Sequence, residues 1–219
     1  MFNEGYFSKT HNHQIRKDLC SEAVRLTLLL TENPLTDLPQ TNALLALMCF
    51  QSSRLEARTD HKGETILFDE QDRSLWDKSL IHKGNYYLVK ATNGNEVTKY
   101  HLEAGIAYWH TAPTGESKWQ HILQLYNQLV LIEYSPVTAL NRMFAFSKVY
   151  GNKKAIFEAE KLKLLTNNYY YQLLAYLYSE TDIAKAVAYY QQAIQLTKSK
   201  AEKQTLVKRI SQLKKQAVR

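Results

Sequence analysis

Asp69-Glu70-Gln71-Asp72-Arg73, followed by Trp76 and Asp77, is the densest charged run in the N-terminal half of this 219-residue chain. Carboxylates paired at this spacing could share general acid and base work. A hydrolase built on Asp69 and Asp72 would also need His82 or His101, and no second acid-base signature or metal motif accompanies the run. Arg73 can neutralise a carboxylate within it, and Arg54 and Arg58, one turn apart at a helix end, are natural mates for its acids. Ion pairs of this kind fix geometry more than they stabilise. The run therefore reads as structural or partner-recognising, and the chain as not an enzyme.

His11 and His13, separated by one residue, could chelate a metal but have no Cys or carboxylate at ligand spacing in the same segment, so they read as a polar loop. His101, His110 and His121 fall on different helix faces. A Gly-rich phosphate loop, a Ser or Cys nucleophile signature and a dinucleotide fingerprint are all missing. No cofactor and no metal are expected.

The elements that must carry these residues are helical. Ile15, Leu19, Ala23, Leu26 and Leu30 recur at three- and four-residue steps up to Asn33-Pro34, which predicts a helix over about residues 16–31. Ala43, Leu44, Leu47 and Met48, preceded by Thr41, predict its hairpin partner, running on toward Arg54. Asp60-His61-Lys62-Gly63 is turn chemistry, followed by the extended apolar run Thr65-Ile66-Leu67-Phe68. Periodicity resumes around Ser74, Trp76, Leu80 and Tyr87, halts at Asn93-Gly94-Asn95 and returns at about residues 98–112. Pro136, after Ser135, suits a first helical turn, and breaks follow at Gly151-Asn152, Thr166-Asn167-Asn168 and Thr181-Asp182.

A tetratricopeptide unit started at residue 167 places Tyr170 and Leu173 on its first helix and Ala186, Tyr190 and Ala193 on its second, departing from the pattern at Leu174 and Lys198. A weaker copy lies upstream through Ala155 and Ala159. The expected fold is all-α, with helical hairpins stacked as an α-solenoid. It is tetratricopeptide-like in the C-terminal half and has a short irregular or β-hairpin insert near residues 58–70. Residues 1–135 form the N-terminal helical part and 136–219 the repeats with a basic capping helix, as one continuous domain.

The net charge of +7 is unevenly placed: residues 1–110 hold 12 bases and 14 acids, residues 111–219 hold 16 and 7. From Lys198 onward eight bases face the single acid Glu202. Leu206, Ile210, Leu213 and Ala217 form one stripe there, with Lys203, Lys208, Lys214 and Lys215 elsewhere. Solenoids need a polar cap over the last repeat, which favours a solvated lid over a nucleic-acid surface. Cys20 and Cys49 lie in apolar-periodic segments and read as reduced core residues of a cytoplasmic protein. No run of 18 apolar residues exists, so no membrane association is expected.

Three groups of residues, in order along the chain, carry a resemblance. They are Phe2-Asn3-Glu4-Gly5-Tyr6 with Asp18-Leu19-Cys20-Ser21-Glu22-Ala23-Val24-Arg25-Leu26; Leu45-Ala46-Leu47-Met48 with the Asp69-to-Trp76 stretch and Asp77; and Ser135-Pro136-Val137 with Leu140-Asn141-Arg142. Together they resemble the tetratricopeptide-like C-terminal extension of extracytoplasmic-function RNA polymerase sigma factors. The resemblance implies that two sigma modules, reading the −10 and −35 elements, precede residue 1. The partners it implies are those modules and core RNA polymerase, with promoter DNA contacted only through the modules. The implied function is a regulatory, protein-interaction role in transcription initiation. A stand-alone helical-repeat binding protein and a basic nucleic-acid-binding domain are the alternatives. Candidate interaction residues are Asn3, Glu4, Tyr6, Arg54, Arg58, Asp72, Arg73, Asn141 and Arg142. The plainer account of each is an internal bond that holds the helix stack.

Overall fold

The structure is a computed structural model that describes residues 1–6, 16–59, 66, 68–112, 115 and 117–216, for Glu4, Gly5, Asp69, Ala201 and Gln216 the backbone alone. His11 and His13 lie outside the described residues. The chain forms two compact units, Met1–Gly115 and Glu116–Arg219. The sequence-based division at residue 135 falls between two helices of the second unit.

In the first unit, α1 (Phe2–Tyr6) packs on α2 (Lys17–Glu32), and α2 packs on α3 (Pro39–Ser52). Pro39 opens α3 at its first turn, two residues before the expected Thr41, because a helix start has no use for the missing N–H. In α3, Ala43, Leu45, Ala46, Leu47, Cys49 and Phe50 are buried, an apolar surface too wide for one neighbour. The helix is accordingly central, wrapped by α2, α4 (Lys78–Ala91) and α5 (Lys99–Thr111). Gly84 of α4 lets that helix approach: a Cβ there would stand 2.7 Å from the Phe50 ring.

Between α3 and α4 the chain makes 3-10 turns at Leu55–Ala57, Phe68–Glu70 and Arg73–Leu75. Residues 60–65 and 67 of the expected insert lie outside the described residues, and the Ile66 N–H donates back to the Arg58 carbonyl at 2.8 Å. Helix α4 begins at Lys78, later than the periodicity from Ser74 suggests. Asp72 caps the last 3-10 turn through Ser74 N–H, and Asp77 caps α4 through Leu80 N–H, so two successive caps divide the segment. His101 is bound structurally, its Nδ1 accepting from Thr98 N–H at 3.1 Å while Nε2 donates to the Ala91 carbonyl at 3.1 Å.

The second unit is a succession of antiparallel hairpins, each helix packed on the next: α6 (Lys118–Ile132), α7 (Pro136–Tyr150), α8 (Asn152–Glu160), α9 (Asn168–Tyr178), α10 (Ile183–Leu196) and α11 (Lys200–Gln216). Ser135, Asn167 and Asp182 cap α7, α9 and α10 with side-chain oxygens, at the breaks read from sequence. The repeat residues are buried as the spacing requires. Ala155, Ala159, Tyr170, Leu173 and Leu174 belong to one cluster, and Ala186, Tyr190 and Ala193 to the next, which Leu206 and Leu213 of α11 complete. The fold is all-α and solenoid-like, with α11 laid over α10. Among the described residues there is no strand, and no helix is long and apolar enough to cross a membrane.

Candidate functional site

Three distant segments of the first unit meet around two arginines. Helix α3 ends at Ser52, and the following 3-10 turn sets Arg54 and Arg58 on either side of it, both half-buried. Arg58 Nη1 donates to the Tyr6 carbonyl at 2.7 Å, and its guanidinium lies 3.7 Å from the centre of the Tyr6 ring. Arg54 Nη2 donates to Tyr6 Oη at 3.0 Å. The Arg54 guanidinium also stands 4.9 Å from the Phe68 ring centre and 6.0 Å from that of Trp76.

The rings extend the cluster. Phe68 lies 5.8 Å from Trp76 and 4.8 Å from His110, edge to face with the latter, and Phe2 stacks on Tyr6 at 5.8 Å. Arg73, itself exposed, has its guanidinium 5.2 Å from the Trp76 ring centre. Trp76 is buried, 6% exposed, and among the described residues its Nε1 has no hydrogen-bond partner.

The sequence suggested that Arg54 and Arg58 would pair with the acids of the Asp69-to-Asp77 run. Among the described residues neither arginine pairs with a carboxylate. The physical reason is competition: Asp72 and Asp77 are exposed, and each commits one carboxylate oxygen to a backbone N–H as a cap. Hydrogen bonding from Ser74, its side chain first and its backbone N–H second, holds the Asp72 carboxyl below its usual range. Aromatic faces take the place of carboxylates, each cation–π contact contributing about 0.5 to 2 kcal/mol according to how dry it is. Burial pushes the Arg58 guanidinium down from its usual value, and the neighbouring charge of Arg54 pushes the same way.

Asn3 is exposed on α1, and only the backbone of Glu4 is described. Asn141, exposed on α7, and Arg142, whose Nε donates to Asn127 Oδ1 at 2.6 Å, belong to the second unit. Phe68 and His110 were missed as members. Phe68 lay in what read as an apolar insert, and His110 reads as one of several scattered histidines. A signal was available in the aromatic residues Phe68 and Trp76 that flank the acidic run. No group of three or more His, Cys, Asp or Glu among the described residues is placed to hold a metal ion.

A second polar knot secures the end of the second unit. Glu202 Oε1 accepts from Asn168 Nδ2 at 2.9 Å and from Gln172 Nε2 at 2.7 Å, both on α9, and Oε2 accepts from Thr197 Oγ1. The lone acid of the basic tail thus anchors α11, and the lysines around it at 198, 200, 203, 208, 214 and 215 face solvent.

Comparison with known proteins places the first cluster in a recognised stretch. Residues 1–92 match a family of unknown function, DUF6596, and the match contains Tyr6, Arg54, Arg58, Phe68 and Trp76. An uncharacterized protein of Rhizobium meliloti (strain 1021) is 34% identical over 173 residues, which cover 78% of this chain and 41% of that protein. The chain therefore spans about two fifths of that relative's length. No solved structure matches.

Proposed function

We propose that the chain is a regulatory, protein-interaction domain of an alternative RNA polymerase sigma factor, acting in transcription initiation without catalysing a reaction itself. The observation that carries this reading is the meeting of stretches on which the resemblance rests. Tyr6 of the Phe2-to-Tyr6 segment and Trp76 of the Asp69-to-Trp76 stretch both reach Arg54, so two of the three motif groups meet within the first unit. Two further facts support it. Stacked helical hairpins are a scaffold for binding other polypeptides. In the Rhizobium relative, the similar stretch is one portion of a longer protein.

On this reading the partners are the sigma modules of the same full-length protein and core polymerase, and promoter DNA is met only through those modules. The setting is cytoplasmic, where the buried free thiols of Cys20 and Cys49 stay reduced. Retention of the sigma modules or core polymerase on the immobilised chain at micromolar concentration is the expected result. Absence of binding to either, in cis or in trans, would sink the reading.

The exposed lysines of α11 favour one other reading, direct nucleic-acid binding. It requires DNA affinity that falls steeply with salt and disappears when residues 198–219 are deleted. Equal retention of DNA by the full and the shortened chain, at low salt, would exclude it.

A further inference from the structure

The cluster around Arg54 and Arg58 is made of donors. Among the described residues the two guanidinium groups are half-buried without a carboxylate, and the indole Nε1–H of buried Trp76 has no acceptor. Tyr6 accepts one bond from each arginine, through its hydroxyl and its carbonyl, which leaves further N–H groups on each fork. Buried donors ordinarily find an acceptor, and a guanidinium fork matches a carboxylate edge to edge. The surrounding surface is aromatic, from Tyr6, Phe68 and Trp76. Such walls suit an anion that carries hydrocarbon next to its charge, as a Glu side chain in a peptide does, better than a fully hydrated inorganic anion.

We propose that Arg54, Arg58 and Trp76 form a receptor for a carboxylate side chain presented by an acidic peptide segment with apolar neighbours. The receptor does not depend on the sigma-factor reading, because it is defined by ligand chemistry and measured with a synthetic peptide. Failure of polymerase binding and failure of peptide binding are separate outcomes.

The experiment uses the full chain labelled with nitrogen-15 and follows the indole N–H of Trp76 and the side-chain N–H signals of the arginines. The probe is a blocked hexapeptide alternating Glu and Leu. The controls are the same peptide with Gln for Glu, and inorganic phosphate. The Glu peptide should shift the Trp76 and Arg58 signals saturably, the Gln peptide should leave them in place, and phosphate should bind at least tenfold more weakly. Arg58→Gln should abolish the response. Trp76→Phe, which keeps a ring and removes only the N–H donor, should weaken binding about tenfold. Should Arg58→Gln fail to fold by circular dichroism, Arg54→Lys and Trp76→Phe carry the same test. No shift up to millimolar peptide, equal binding of the Gln peptide or of phosphate, or unchanged affinity in the folded variants would overturn the proposal.

Discussion

A methyl group on residue 84 would meet Phe50, the largest of the fully buried side chains, at 2.7 Å. Ala is a better helix former than Gly by about 1 kcal/mol, but overpacking a filled core costs about 1 to 3 kcal/mol. Packing wins, so Gly84→Ala should lower the melting temperature even though α4 becomes intrinsically more helical. An unchanged or raised Tm would contradict the close approach of α3 and α4. Cys49 lies in the same core, and burial pushes its thiol up to about 11, which leaves it an inert apolar filler. Asp37, in the loop before α3, accepts from Asn42 Nδ2 at 2.7 Å and pairs with Lys90 Nζ at 3.0 Å. The bond from Asn42, then that from Lys90, holds its carboxyl below the usual 3.8. A depressed carboxyl stabilises the fold above its unfolded pKa, and that contribution disappears as pH falls through the lower, folded value. Asp37→Asn should therefore lose stability at neutral pH and show a flatter dependence below about pH 4 in thermal melts, against the parent chain.

At the scale of elements, caps and anchors decide where helices stop and what they lean on. Glu202→Ala removes the acceptor for Asn168, Gln172 and Thr197 together, and the expected consequence is faster amide hydrogen exchange throughout α11, with α7 and α8 unaffected. Uniform exchange rates in both proteins would show that Leu206 and Leu213 hold the helix without it. The sequence made the breaks at Ser135, Asn167 and Asp182 readable because a cap works locally, within three residues of the side chain that makes it. It misplaced the start of α4 because Asp72 and Asp77 both carry cap chemistry and only packing shows that a 3-10 turn separates them. Tyr6, Arg54 and Arg58 were legible as candidates from the motifs, and their mutual contacts were not. A guanidinium meeting a tyrosine 48 or 52 residues away leaves no periodic trace, and the nearby acids suggested ion pairs that backbone amides pre-empt. Glu202 was visible only as an exception in a basic tail, and its role depends on α9 lying alongside.

For the molecule as a whole, charge and core divide along the same line. All of the net positive excess belongs to the second unit, and the two apolar clusters described in it draw only on residues after 116. A fragment of residues 116–219 should therefore give a helical circular dichroism spectrum and a cooperative melt, and a featureless, non-cooperative melt would refute self-sufficiency of that core. Along this unit most successive helices are joined by connections of several residues, but α7 and α8 share a single one. Gly151 ends the first helix and begins the second at φ +85° and ψ 159°, a conformation essentially confined to glycine, with open space where a Cβ would stand. The joint works as an elbow without slack. Helix α8 has nine residues and is about 13 Å long, so a rotation of about 10° at Gly151 would swing its far end by about 2 Å. That is more than the tight seating of Ala155 and Ala159 can absorb, so the curvature of this part of the solenoid is set by the torsion angles of one residue.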